Sequence, residues 1–188
     1  MIPADLLIEA YCEGIFPMAM DNGEIGWFSP DPRAVIPLDG FNIPHGLKRA
    51  LKKNAFEIRF DTAFAKVMRV CAEREETWIS EEIIGSYCEL HRLGHAHSVE
   101  AWVGERLVGG LYGVAFGAIF FGESMFHRET DASKIALCAL VDRLRANGFQ
   151  MLEVQWLTPH LKTFGALEIP RAEYLKQLQR CLRVECEF

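Results

Sequence analysis

The sequence has no apolar run long enough to cross a bilayer. The longest, Leu111 to Phe121, is interrupted by glycines and falls well short of the roughly 20 residues a spanning helix needs. It has no basic cluster at its start, where Asp5 and Glu9 stand instead, so a secretory leader is not expected and the cytoplasm is the default compartment. Its six cysteines, at positions 12, 71, 88, 138, 181 and 186, form no C-x-x-C pair. Reduced, buried thiols are therefore expected rather than a zinc site, whose ligands must lie close together. Only His91, His95 and His97 cluster, and no metal is expected there. A P-loop, a G-x-G-x-x-G stretch and a Ser-His-Asp order are also missing, which leaves phosphoryl transfer and dinucleotide chemistry without support and no covalent nucleophile in view.

What is present suits one compact domain, or one domain with a small appendage: 188 residues, half of them apolar, can bury a proper core. Pro3 to Glu13 has helical spacing and Gly14 can close it. Gly-Ile-Phe-Pro and Gly-Trp-Phe-Ser-Pro-Asp-Pro-Arg then read as tight turns rather than periodic structure, with a lobe boundary near Gly40. Phe56 to Phe60 alternates as a strand, Ala63 to Cys71 is helical, and Ser80 can cap a helix running to about Leu93. Ser98 to Val103, Arg106 to Ala115 and Ala118 to Ser124 read as three antiparallel strands. A helix over Ala132 to Ala146, capped by Asp131 or Ser133, a strand over Met151 to Trp156 and helices over Pro159 to Phe164 and Arg171 to Arg180 complete an α+β order. The expected division is residues 1–40 as a small lobe and 41–188 as the main domain.

The net charge of −6 argues against a polyanionic partner, but its distribution does not. Gly46 to Arg69 holds seven basic residues against two acids, a local +5 that leaves −11 for the remainder. Lys48, Arg49, Lys52 and Lys53 recur at helical spacing opposite Leu47, Ala50 and Leu51, making a basic amphipathic helix that suits either phosphates or plain solvent. Two strands carry polar groups that a simple core does not require. Strand alternation puts Glu123 on one face with Phe121 and Met125, where burial calls for a cation such as Arg128 or Lys134. The same alternation puts Glu153 and Gln155 together, opposite Leu152 and Val154, facing either water or a site.

Gly14-Ile-Phe-Pro17, Trp27-Phe-Ser-Pro-Asp-Pro-Arg33, Thr77-Trp-Ile79, Leu93-Gly-His-Ala-His-Ser98, Gly109-Gly-Leu-Tyr-Gly113, Gly122-Glu-Ser-Met-Phe126, Ala132-Ser-Lys134 and the segment Gly165 to Arg171 run through the chain in order. In that combination the sequence closely resembles leucyl/phenylalanyl-tRNA-protein transferases, the aminoacyltransferases of the bacterial N-degron pathway. The resemblance implies a main domain similar to Gcn5-related N-acetyltransferases, with the aminoacyl end of tRNA in place of an acyl thioester. It implies Trp27 and Trp78 at the terminal adenosine and an apolar pocket from Leu111, Phe120, Met125, Leu140 and Leu152. Lys48, Arg49, Lys52 and Lys53 would face the acceptor stem. Glu153 and Gln155 would orient and help deprotonate the attacking amine, while Glu123 holds polar groups at the reaction centre. Two departures from the family pattern stand out: the family usually has Asp where Glu153 stands, and longer members carry an extra N-terminal segment ahead of the start of this sequence.

The implied reaction transfers leucine, phenylalanine or methionine from charged tRNA to a protein beginning with Arg or Lys, by a monomer with no metal or organic cofactor. Three other readings stand beside it. An acyl-thioester-dependent N-acyltransferase would need a glycine-rich loop before a helix, yet the segment after Met125 reads His-Arg-Glu-Thr-Asp-Ala-Ser-Lys. A silent binder of charged tRNA would follow if Glu153 fails to replace Asp. The third keeps the reaction but takes acceptors with an acidic first residue.

Overall fold

The computed structural model describes residues 1–188. Helix α1 (Ala4–Cys12) buries Leu7, Ala10 and Tyr11 along one face. Gly14, at φ 72°, turns the chain out of it, and a Cβ there would lie 2.7 Å from Leu175 and 3.0 Å from Tyr174. The turn-like segment that follows is instead a hairpin of β1 (Phe16–Ala19) and β2 (Ile25–Phe28), succeeded by β3 (Arg33–Ile36). Proline did not exclude a strand at Pro17, because in a two-stranded sheet both strands are edges and the missing N–H need not serve a second neighbour. The boundary expected near Gly40 falls after β3, which is a strand of the large sheet, whereas the small sheet ends at Phe28.

The basic helix is α2 (His45–Lys53), followed by β4 (Glu57–Phe60), α3 (Phe64–Ala72) and α4 (Glu81–Arg92). Ser80 caps α4 by accepting a hydrogen bond from the Ile83 amide at 3.3 Å. The meander appears as β5 (Ala96–Val103), β6 (Arg106–Phe116) and β7 (Ile119–His127), antiparallel throughout. Next comes α5 (Ala132–Ala146), which crosses over to β8 (Met151–Gln155). Asp131 stands at the start of α5 but does not cap it through its side chain; its carboxylate accepts from Lys134 Nζ at 2.7 Å. The chain continues through α6 (Pro159–Lys162), β9 (Leu167–Ile169) and α7 (Arg171–Cys181).

The large sheet has seven strands in the order β4-β5-β6-β7-β8-β3-β9, and only the β7–β8 neighbours are parallel. A mixed α/β architecture results. Apolar side chains from α1, α3, α4 and α7 pack on one face of the sheet, and those from α2 and α5 on the other. No helix is long and apolar enough to cross a membrane. All six cysteines are free thiols, with Cys71, Cys138 and Cys181 buried.

Close packing of α5 on β6 depends on Gly109. A Cβ at that position would lie 2.5 Å from Ala132 Cβ and 2.9 Å from the Ala132 carbonyl carbon. Gly109→Val should therefore push the start of α5 off the sheet, with a loss of about 2 kcal/mol or more in urea unfolding. An unchanged midpoint would mean that α5 does not rest on this contact.

Candidate active site between two parting strands

Strands β7 and β8 pair at Ile119 with Met151, Phe120 with Leu152 and Phe121 with Glu153, and no farther. Each strand carries a backbone irregularity just past the point where they part. On β7, Gly113 faces Gly122 and Tyr112 faces Ser124, so Glu123 is the extra residue of a β-bulge; bulges re-aim the side chain they carry. On β8, Gln155 lies at φ 57° and the Trp156 amide bonds the Val154 carbonyl at 2.7 Å. That is a γ-turn with a left-handed centre, a strained form found where surrounding structure enforces it. A cavity of about 420 Å3 opens between the two strands.

The bulge overturns the alternation argument for β7, whereas on β8 Glu153 and Gln155 are neighbours as alternation implied, Gln155 Nε2 donating to Glu153 Oε2 at 3.3 Å. Phe121 packs with the α1, α3 and α4 side, whereas Met125 packs on the α5 side. The bulge shifts the period by one residue, so Phe121, Glu123 and Met125 do not share a face. On β8, Leu152, Val154 and Gln155 all line the cavity, while Glu153 does not.

Leu111, Met125, Leu140 and Leu152 form cavity wall as expected, joined by Leu137 and Leu161. Phe120 is fully buried and does not line the cavity; it packs behind the wall and stacks on Phe188 at 5.4 Å. Trp78 lies on the wall together with Phe16, Met18 and Trp156. Trp27 does not; it sits opposite Pro17 in the hairpin and is 40% exposed. Lys48, Arg49, Lys52 and Lys53 are all exposed on α2, whose Leu47 is buried on the α5 side of the sheet. No group of three or more His, Cys, Asp or Glu side chains is placed to hold a metal ion.

A buried polar chain runs beneath the cavity. Arg33 Nε lies 2.8 Å from Glu153 Oε1, with both side chains almost wholly buried. The contact is an ion pair rather than an aligned hydrogen bond, since Arg33 Nε is left without a hydrogen-bond partner by direction. Arg33 Nη2 donates to the Gly14 carbonyl at 2.6 Å, and its guanidinium lies over the rings of Tyr174 and Phe16, 4.5 and 5.2 Å away. Glu153 accepts from the Gln155 amide at 2.6 Å and from Gln155 Nε2 at 3.3 Å. Gln155 Nε2 also reaches Glu123 Oε1 at 3.4 Å. Tyr11 donates to the same Glu123 oxygen at 2.6 Å, and its hydroxyl contacts that of Tyr87.

The cation expected for Glu123 is thus absent. Arg128 pairs with Glu73, and Lys134 with Asp131. A phenol, an amide and the more distant Arg33 serve instead. Tyr11, Arg33 and Tyr112 were not singled out by sequence. Arg33 had a legible signal, a lone cation opening the apolar run Ala34 to Ile36; Tyr11 shared the buried helical spacing of Leu7 and looked like ordinary core.

Burial pushes the Glu123 carboxyl up to about 8; the Tyr11 hydrogen bond opposes this and the neighbouring Glu153 charge adds to it. Burial likewise raises Glu153, to about 7, against the pull of Arg33. Tyr11, Tyr87 and Tyr112 are all pushed up, first by burial and then by the Glu123 charge, so they remain hydroxyls. With Gln155 Nε2 turned to two carboxylates, its Oε1 is left as an acceptor. The arrangement can receive an apolar acyl group, present it at Gln155, and take up a proton at Glu123 near neutral pH.

An apolar cavity that ends at a buried carboxyl and an amide side chain has the form suited to group transfer. The sequence profile described as leucyl/phenylalanyl-tRNA protein transferase matches residues 35–179, and that of the family's N-terminal domain matches residues 1–31. The chain is 56% identical to the leucyl/phenylalanyl-tRNA–protein transferase of Herpetosiphon aurantiacus, over 97% of this chain and 96% of that one. It is 59% identical to the protein of the same name from Akkermansia muciniphila, over 95% of each. The Rubrobacter xylanophilus protein is 53% identical over 98% of this chain and 97% of its own. The chain belongs to the leucyl/phenylalanyl-tRNA protein transferase family. Among solved structures, L-PGS from Bacillus licheniformis aligns with a TM-score of 0.49 over 82% of this chain and 66% of its own, at 11% identity, too distant to bear on the fold.

A carboxyl held above its ordinary value of 4.5 in the fold binds more protons in the native state than in the unfolded chain across that interval. Stability from Glu123 is therefore intact at low pH and falls as pH rises from about 4.5 towards 8. Glu123→Gln, which cannot ionise, should gain on the wild type between pH 5 and pH 8 by about 3 kcal/mol in urea unfolding. A gain in the opposite direction would mean that Glu123 is stabilised as an anion.

Proposed function

We propose that this protein transfers leucine, phenylalanine or methionine from aminoacyl-tRNA to the N-terminal Arg or Lys of acceptor proteins, marking them for N-degron degradation. It would act as a cytoplasmic monomer with a Gcn5-related N-acetyltransferase-like main domain. The observation that carries this reading is the apolar cavity between β7 and β8, closed at one end by Glu123 and Gln155, in a chain of this family. The parallel pair β7–β8 ends at Phe121 and Glu153, which leaves room for an acyl group beyond it. The basic face of α2 suits the tRNA phosphates.

In this reading the donor side chain enters the pocket walled by Leu111, Met125, Leu140 and Leu152, where flexible Met and Leu side chains adapt to aliphatic or aromatic guests. The ester carbonyl then lies beside Gln155. The α-amine of the acceptor gives one N–H to Gln155 Oε1 and attacks; the new C–N bond forms as the ester C–O bond breaks. The proton lost by the amine passes to Glu123 and from there to the departing ribose oxygen. A carboxyl near 8 is matched to an α-amine near 7.8, so transfer in either direction has a small driving force. Glu153 touches neither substrate here. Held by Arg33, it positions Gln155, and the longer Glu side chain is accommodated because it reaches the Gln155 amide rather than the reacting atoms.

Transfer of labelled leucine to peptides differing only in the first residue tests the reaction. Label on Arg and Lys peptides but not on Asp or Ala is expected; label on Asp would reverse the acceptor assignment, and tRNA binding without transfer would leave a silent binder. The pH profile tests the proton route separately. Below pH 7, log kcat/KM should climb with a slope near 2, from the acceptor amine and Glu123 together, and with a slope near 1 in Glu123→Gln. Equal slopes would remove Glu123 from the proton path.

A further inference from the structure

We infer that Trp156, the first residue after β8, is a stacking wall for the terminal base of the donor, lining the cavity together with Trp78. The inference rests on the proposed transfer reaction and adds to it a residue that the sequence resemblance did not supply. Two indoles, Trp78 and Trp156, line the cavity, and Trp27 is not one of them. Trp156 is 46% exposed, which is unusual for the largest apolar side chain unless a partner covers it. Its ring is not loose: Phe16 holds it edge-to-face at 5.3 Å and 89°.

The backbone explains how Trp156 comes to be there. Simple strand alternation would expose either Gln155 or Trp156 to the cavity. The γ-turn centred on Gln155 delivers both, the amide to the reacting centre and the indole to the rim beside it. An aminoacyl ester on a terminal ribose has its base one sugar away from the carbonyl. With the acyl group in the apolar depth and the carbonyl at Gln155, that base comes to lie at the rim where Trp156 stands.

The chemistry of the mouth favours a neutral flat ring over the cationic side chain of an acceptor. Glu123 is the only acid among the lining residues, and it is occupied by Tyr11 and Gln155. Arg74 lines the same cavity, donating to Ser124 Oγ at 2.8 Å and to the Met125 carbonyl at 3.1 Å, so a second guanidinium there meets like charge. Indole faces stack on any base without needing hydrogen-bond partners.

The test is a transfer assay on Trp156→Ala and Trp156→Phe with charged tRNA and acceptor peptide varied in turn. Trp156→Ala should raise KM for the donor about tenfold, in keeping with the loss of one base–aromatic stack. Trp156→Phe should stay within about twofold, with KM for the peptide and the thermal midpoint unmoved in both. As a readout independent of turnover, 3′-deoxy-3′-leucylamido-adenosine should quench tryptophan fluorescence in the wild type and much less in Trp156→Phe. An unmoved donor KM in Trp156→Ala, or a rise in the peptide KM instead, overturns the assignment; the latter would place Trp156 on the acceptor side. A wild type that transfers nothing would sink the proposed reaction, whereas an active wild type with unaffected variants sinks only this inference.

Discussion

Arg33 and Glu153 are 1% and 0% exposed, and an ion placed that deep costs several kcal/mol unless a counter-charge is fixed beside it. Their contact is therefore a constraint on everything attached to them. Arg33 belongs to β3 but reaches the Gly14 carbonyl, the Phe16 ring of the hairpin and the Tyr174 ring of α7. Glu153 belongs to β8 and holds the Gln155 amide. One guanidinium thus fastens the N-terminal hairpin and the last helix to the strand that carries the site. Gly14 fits this junction because its missing Cβ leaves room for Leu175 and Tyr174.

The same contact separates two carboxylates that would otherwise compete. Glu153 faces Arg33 and is sealed from the cavity; Glu123, on the bulge of β7, faces the cavity with only a phenol and an amide for company. Environment rather than residue type separates the roles proposed for them, one positioning and the other exchanging a proton. Gln155 links them, and its left-handed backbone is the strain the arrangement tolerates. The apolar walls beyond need only bulk and flexibility, which is why Leu and Met suffice there.

The meander, the long helix after it and the basic helix were legible because their periods are long and uninterrupted, as Arg106 to Phe116 and Ala132 to Ala146 illustrate. Glu123, Glu153 and Gln155 stood out as polar positions on apolar strands, and the family resemblance implied most of the residues that line the cavity. What sequence periodicity could not give was any feature made by breaking the period. The bulge at Glu123 puts Phe121 and Met125 on opposite faces, and the turn at Gln155 brings three consecutive side chains, Val154 to Trp156, to one cavity. The hairpin around Pro17 was hidden by turn-forming composition. Arg33 was read as part of a proline-rich motif, since nothing local in Pro-Arg-Ala-Val reveals that its partner lies 120 residues on.

A double-mutant cycle on Arg33→Met and Glu153→Gln, followed by urea unfolding, bears most directly on the claim that this buried pair organises the site. Each single change should cost about 3 kcal/mol or more, because each strands the other partner in the interior, and the double change should cost clearly less than the two together. Strictly additive losses would contradict the account and would make Arg33 and Glu153 independent core residues.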